Sequence, residues 1–280
     1  MLRVGLIQLC AGRDPQANLQ ATEALVRQAA GEGARFVLTP EVTNCVTSDR
    51  AHQAAVLHPQ ETDPTLARLR QLAAELGIWL LIGSLGIKTT DADGRYANRT
   101  FMIGPDGALR AHYDKIHMFD VQVSASETYR ESASYRPGNR AVLCQTDFAA
   151  VGMTICYDLR FAHLHRALAQ AGAQILTVPA AFSPVTGAVH WQVLLQARAI
   201  ETGCFVLAPA QTGLNDTHNG AQRRTYGHSM VVAPWGEVLL DAGTAPGVYC
   251  IDLDLAQVEQ ARLRVPALGH DRSFDGPDHV

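Results

Sequence analysis

Lysine is almost missing from this chain of 280 residues. Of 23 basic residues only Lys88 and Lys115 are lysine, which leaves 21 arginines (23 − 2). Paired cysteines are missing too: the six stand at 10, 45, 144, 156, 204 and 250, without a CxxC. That spacing suits neither a zinc site nor a disulfide framework, and reads as a reduced, cytoplasmic protein. No HxxxH or HExxH occurs among His112, His117, His163 and His165, so no metal is expected. Apolar runs fall short of the ~18 residues that cross a membrane. The first of them is interrupted by Gln8 and precedes no small-residue cleavage site, so no signal peptide is expected. Excess positive charge is absent: a net charge of −4 and a pI near 6.2 speak against a nucleic-acid partner. Charged residues are 18% against 47% apolar, which excludes a disordered chain. No repeat, low-complexity tract or Pro/Ser-rich linker divides the sequence. One domain over 1–280, with 276–280 as a tail, is the simplest reading.

What is present alternates strand-like and helix-like runs. Leu2–Leu9 is apolar with β-branched members and predicts a buried strand. Pro15–Ala30 sets Leu19, Thr22, Leu25, Val26 and Ala29 on one helical face. Phe36–Thr39 is a second strand, ending at Pro40-Glu41. Thr65–Leu76 is an amphipathic helix closed by Gly77, and Ile78–Gly83 is a third strand. Lys88 reads as a loop residue. Pro105-Asp106-Gly107 turns between strands Asn98–Gly104 and Leu109–His112. Asp114–Gly138 has little periodicity and reads as a long functional loop. Strands Ala141–Gln145 and Ala149–Ile155, helix Arg160–Ala171, strand Gln174–Val178, helix His190–Thr202 and strand Cys204–Pro209 follow. After a polar loop, Leu214–Thr225, come the hairpin Ser229–Ala233/Val238–Asp241, strand Val248–Leu253 and helix Leu255–Arg264. Helices follow strands repeatedly, which points to an α/β fold, but hairpins break a purely parallel sheet. A four-layer αββα sandwich of mixed sheets satisfies both facts.

Val151–Ile155 runs straight into Cys156, and a helix begins within a few residues. A thiol on such a strand-to-helix turn has backbone N–H groups and a helix dipole nearby, which lower a thiol pKa and can hold an oxyanion. Taken alone, Cys156 reads more plainly as a buried core cysteine, the commonest fate of a free cysteine. Glu41 follows a strand, where ligand crevices form in α/β folds, although a loop acid is the plainer reading. Lys115 gains weight because the chain uses arginine almost everywhere else. Glu131 is a second acid, or a partner of Arg130 or Arg136. Together these residues describe a mechanism. A carboxylate takes the thiol proton, the thiolate attacks an acyl carbon, and an ammonium steadies the oxyanion. Asp158 and Arg160 would tie the turn in place. Trp191 and Trp235 read as packing residues, and the five cysteines other than Cys156 as inert.

The trio Glu41, Lys115 and Cys156, with Tyr113-Asp114-Lys115-Ile116-His117 and Ile155-Cys156-Tyr157-Asp158-Leu159-Arg160-Phe161, resembles the nitrilase (carbon–nitrogen hydrolase) superfamily. The likeness runs from Arg3 to about Phe274. It implies the αββα fold, no cofactor, a small-molecule amide substrate and a homodimer or larger homo-oligomer. It implies Glu41 as general base, Lys115 as oxyanion stabiliser and Cys156 as nucleophile. It further implies Glu131 as positioning acid and the Tyr157 N–H as second oxyanion donor. Ala180-Ala181-Phe182, Thr186-Gly187, His190-Trp191, Gln196–Glu201 and Pro234-Trp235-Gly236 resemble the Nit branch. Ala210-Gln211-Thr212-Gly213 and Tyr226-Gly227-His228-Ser229 lean toward its deaminated glutathione amidases. The neighbouring ω-amidases, which act on α-ketoglutaramate, are the alternative, followed by N-carbamoyl amide and nitrile hydrolases. Phe182, Thr186 and His228 are expected at the substrate. Ala162-His163 replaces a usual Pro-Glu, and Ala188 a usual proline. The 214–225 segment is unusually long and polar. Its Arg223 and Arg224 could grip a carboxylate or form a solvated face.

Overall fold

The structure, a computed structural model, describes residues 1–123, 127–218 and 221–276. Of the tail expected at 276–280, residues 277–280 lie outside the described residues. A seven-stranded sheet runs Gly247–Leu253, Leu2–Gln8, Phe36–Leu38, Trp79–Lys88, Tyr96–Ile103, Leu109–Asp114, with Tyr135–Arg136 paired to Tyr96–Ile103. A six-stranded sheet runs Val238–Asp241, Met230–Val232, Phe205–Ala208, Ile175–Thr177, Ala150–Met153, Val142–Gln145. Both mix parallel centres with antiparallel edges.

Period-two alternation sorts the first sheet's side chains between two cores. Val4, Leu6, Phe36, Leu38, Leu81 and Met102 join Val151, Met153 and Ile175 of the second sheet in one cluster. Their neighbours Ile7, Val37, Leu80, Ile82, Phe101 and Ile103 face the other way, onto Val26, Ala29, Leu66, Leu69 and Leu72 of helices Pro15–Gly31 and Pro64–Leu76. Leu164, Leu168, Trp191 and Leu195, from helices Ala162–Gln170 and Pro184–Thr202, close the far side of the second sheet. The layers are therefore helix, sheet, sheet, helix, as the sequence predicts. Each leucine so buried contributes about 1.5–3 kcal/mol relative to exposure. Gly152 lets the second sheet lie close to its helix, since a Cβ there would stand 2.9 Å from Leu176 and 3.2 Å from Leu168.

Several expectations are corrected. The helix expected from His190 starts at Pro184, because Ser183 caps it through Val185 N–H and proline suits a first helical turn. Helix Arg50–Val56, capped by Asp49, has too few apolar positions to announce itself. The helix expected from Arg160 is a 3₁₀ turn at Cys156–Arg160 followed by an α-helix from Ala162. Lys88 ends a strand instead of lying in a loop, and its Nζ donates to Ala54 O at 2.8 Å. The long loop 114–138 holds a short hairpin, Asp120–Gln122 with Thr128–Arg130, and a 3₁₀ turn at Glu131–Ala133. The polar loop 214–225 is a hairpin, Thr212–His218 with Ala221–Tyr226, whose largely polar strands lack an apolar alternation to read. Trp191 packs as expected, but Trp235 is 43% exposed beneath the Arg264 guanidinium. Of the five cysteines expected to be inert, Cys10 is exposed.

Candidate active site

Three strand ends deliver the site. Phe36–Leu38 leads through Thr39 and Pro40 to Glu41, Leu109–Asp114 stops immediately before Lys115, and Ala150–Met153 leads through Thr154 and Ile155 to Cys156. The first two strands belong to one sheet and the third to the other. Lys115 Nζ donates to Glu41 Oε1 at 2.8 Å and to Glu131 at 2.9 and 3.0 Å. The Cys156 thiol lies against the Glu41 carboxylate, close enough that each shifts the other's ionisation.

Burial and charge act together here. Burial pushes the Cys156 thiol well above its ordinary value, and the Glu41 carboxylate adds to the rise while Lys115 opposes it. Burial alone would raise Glu41, but the charge and hydrogen bond of Lys115 outweigh it and hold the carboxyl below the usual range. Burial would likewise lower Lys115, but Glu131 and Glu41 hold its ammonium well above the ordinary value. The resting site is thus a neutral thiol beside an ionised carboxylate and a fixed ammonium.

The supports are specific. Asn98 Nδ2 bridges the two acids, 2.8 Å from Glu41 and 3.2 Å from Glu131. Glu41 Oε2 accepts the Ala181 N–H at 2.8 Å, and Glu131 Oε2 accepts the Phe119 N–H at 2.7 Å. Cys156 holds a left-handed backbone, φ 48°, on the turn that presents its sulfur. That conformation costs a non-glycine residue about 1–2 kcal/mol. The Cys156 N–H is used by Pro179 O at 3.0 Å. The next N–H, that of Tyr157, lies in the first turn of a 3₁₀ helix, where such groups lack partners inside the helix. Asp158, fully buried, ties the Cys156 turn to the segment that carries Lys115 by accepting from Ile155 N–H, His117 N–H and the Tyr113 hydroxyl.

A cavity of about 280 Å³ opens on this group. Of the residues singled out in the sequence, Glu41, Lys115, Glu131, Cys156, Tyr157, Phe182 and Arg223 line it. Arg160 does not tie the turn. Its guanidinium lies 5.8 Å from the Tyr157 ring and 5.7 Å from the Phe182 ring, and it meets His190 Nδ1 at 3.3 Å. Thr186, His228 and Arg224 are not brought to the cavity. The Thr186 hydroxyl turns back to Ser183 O, and His228 stacks on Tyr226 and bonds Asp241. Arg224 meets Gln222 on an exposed face. The reason is the hairpin: adjacent residues of a strand point to opposite faces, so only one of two neighbouring arginines can face inward. Asn98 and the Ala181 N–H were not singled out. Asn98 shares the inward face of Tyr96–Ile103 with Thr100 and Met102, and a polar residue on that apolar face was its only signal.

A thiol, a carboxylate and an ammonium converging on one cavity suit acyl transfer from nitrogen to sulfur. Comparison with known proteins agrees. The carbon-nitrogen hydrolase family model matches residues 3–263, and the chain belongs to that family. It is an enzyme, a carbon–nitrogen hydrolase. A protein of Yersinia enterocolitica named deaminated glutathione amidase is 37% identical over 96% of this chain and 92% of its own length. The human omega-amidase NIT2 is 36% identical over 97% of this chain and 95% of its own. The crystal structure of the C. elegans NitFhit protein superposes with a TM-score of 0.88 at 32% identity, covering 97% of this chain. This chain spans 65% of that longer protein.

Proposed function

We propose that the enzyme hydrolyses the amide bond of a small carboxylate-bearing 2-oxo acid, with deaminated glutathione as its main substrate. The observation that carries the reading is the Lys115 ammonium held between Glu41 and Glu131 beside the buried Cys156 thiol. Cys156 is the nucleophile and Glu41 the general base. Because the thiol rests protonated, its proton passes to Glu41 as the sulfur attacks the amide carbon, not beforehand. Lys115 and the Tyr157 N–H receive the oxyanion, and Glu131 positions Lys115. Glu41 then protonates the departing amine and next deprotonates the water that cleaves the thioester. No cofactor enters these steps.

The similarity to the Yersinia enterocolitica amidase supports deaminated glutathione. The similarity to the human omega-amidase favours α-ketoglutaramate as the second reading. These two substrates share their acyl half and differ in the leaving amine. The test measures ammonia from α-ketoglutaramate and cysteinylglycine from deaminated glutathione, beside a Cys156→Ala control. Turnover of deaminated glutathione with the larger kcat/KM supports the reading. Preference for α-ketoglutaramate reverses the order, and turnover of neither removes the substrate class. Equal activity in the control removes Cys156 from its role.

The chain forms one domain of a cytoplasmic homo-oligomer. An exposed apolar row on helix Pro184–Thr202, Val185, Val189, Val193 and Ile200, supports association. A sedimentation measurement returning only the monomer mass would remove that part.

A further inference from the structure

Strand Ala221–Tyr226 brings one guanidinium to the cavity that holds Cys156. Arg223 Nη2 donates to Ala181 O at 2.9 Å, and the guanidinium carbon lies 4.8 Å from the centre of the Tyr129 ring. Arg223 Nη1 is buried and has no hydrogen-bond partner among the described residues. Glu127, two residues from Tyr129, accepts from Ser183 Oγ at 2.9 Å and from the Tyr129 hydroxyl, both at Oε1. A cationic donor withdrawn from water without an acceptor is unfavourable, and folded proteins satisfy nearly all such groups. Arg223 Nη1 is thus open to an acceptor from whatever fills the cavity.

We propose that Arg223 is the receptor for a carboxylate of the substrate and makes the enzyme selective for anionic amides. The proposal rests on the amidase reading but not on which amide is used. Ala181 sets the reach. Its N–H donates to Glu41 Oε2 at 2.8 Å while its carbonyl accepts from Arg223, so one residue spaces the base from the guanidinium. A substrate fits when its carboxylate and its scissile carbon are separated by that span. The Tyr129 ring, 4.8 Å from the guanidinium carbon, adds a cation–π contact, and a guanidinium offers a carboxylate donors that a lysine cannot reproduce. A neutral amide would leave the buried Arg223 Nη1 without an acceptor, which is how polar sites reject isosteres.

The carboxylate has two possible sources, the acyl half or a carboxyl-terminal glycine on the leaving half. The experiment compares kcat/KM of wild type, Arg223→Gln, Arg223→Lys and Arg224→Gln on deaminated glutathione, α-ketoglutaramate and butyramide. Arg223→Gln is expected to lose about a hundredfold or more on an anionic substrate, chiefly in KM. Its butyramide rate is expected to hold or rise, since the penalty for an unmatched guanidinium is gone, and the rates of Arg224→Gln are expected to stay within about twofold of wild type. Arg223→Lys should recover only part of the loss. Loss on both anionic substrates places the acyl carboxylate at Arg223, and loss on deaminated glutathione alone places the leaving-group carboxylate there. No loss on either overturns the proposal, as does an equal loss on butyramide. If wild type turns over neither 2-oxo acid amide, the substrate reading fails, and calorimetry then decides Arg223 separately. In the Cys156→Ala background, 2-oxoglutarate or glycylglycine should bind at least tenfold more weakly once Arg223→Gln is added. Unchanged or undetectable binding of both overturns the proposal.

Discussion

The Asp158 carboxylate accepts a 2.6 Å hydrogen bond from the Tyr113 hydroxyl, and so joins the segment that carries Lys115 to the turn that carries Cys156. The same carboxylate also accepts from the N–H groups of Ile155 at 2.9 Å and His117 at 3.0 Å, and meets His117 Nδ1 at 2.7 Å. Asp158→Ala would strand these buried donors together. Its stability should fall by about 3 kcal/mol or more, while Tyr113→Phe, which removes one donor, should lose about 1 kcal/mol. Thermal denaturation of both variants checks this. An Asp158→Ala protein melting with wild type would show that the two segments are joined by other means.

Glu41 opposes the ionisation of Cys156, while the Cys156 thiol's hydrogen bond helps hold Glu41 ionised, and this separates two roles for the acid. If Glu41 served only to pre-form a thiolate, its removal would leave less thiolate. The geometry gives the reverse: Glu41 pushes the thiol up while Lys115 pulls it down, so Glu41→Gln should ionise Cys156 at lower pH than wild type. The variant should nonetheless lose about 10²–10⁴-fold in kcat, the usual worth of a general base. Thiolate absorbance against pH, read beside turnover, checks both halves. A Glu41→Gln enzyme with more thiolate and undiminished kcat would remove the base role.

Lys115 neutralises two acids in a place water barely reaches. Glu41, held low, contributes stability that is present above the ordinary carboxylate range and lost as pH falls through its lowered value. Lys115, held high, contributes stability that is present below its ordinary value and lost as pH rises through its raised value. Wild-type stability from this cluster should therefore be flat near neutrality. Lys115→Met leaves Glu41 and Glu131 facing each other without a cation and should cost about 3–5 kcal/mol at pH 7. Protonation then relieves the repulsion, so its melting temperature should rise as pH is lowered from 8 toward 5.5. A variant that melts lower across that range, in parallel with wild type, would contradict the pairing.

Sequence and structure part company for physical reasons. Cys156 and Glu41 each follow a strand whose apolar run is easy to read, and Lys115 stands out as one of only two lysines, so the chemistry was legible before the fold. The two-sheet core was legible for the same reason, since alternation in segments such as Phe36–Leu38 and Leu80–Ile82 needs both faces covered. Hairpin Thr212–Tyr226 was not, because its pairing rests on backbone bonds between polar residues. Reading it as a loop put Arg223 and Arg224 on equal terms, and the strand pleat separates them. Ala181 was invisible as a site residue because it acts through its peptide groups, which every residue carries.

Gly83 shows how the core constrains the chemistry. A Cβ built there would stand 2.0 Å from Thr39 O, 2.5 Å from Pro40 O and 2.6 Å from Pro179 Cβ. None of these can yield alone. Thr39 and Pro40 carry the turn that presents Glu41, and Pro179 O accepts the Cys156 N–H while leading to Ala181. Gly83→Ala would press on both the turn that carries the base and the segment that anchors the nucleophile. Backbone, not flexible side chain, must move, so the melting temperature should drop with the loss of close packing. A displacement of about 1 Å between reacting groups costs on the order of 10²-fold in rate. Gly83→Ala should accordingly show a kcat deficit that persists at temperatures where the variant is fully folded by circular dichroism. A folded Gly83→Ala enzyme with wild-type kcat would mean that the Glu41 turn and the Pro179 segment move together, leaving their spacing unchanged.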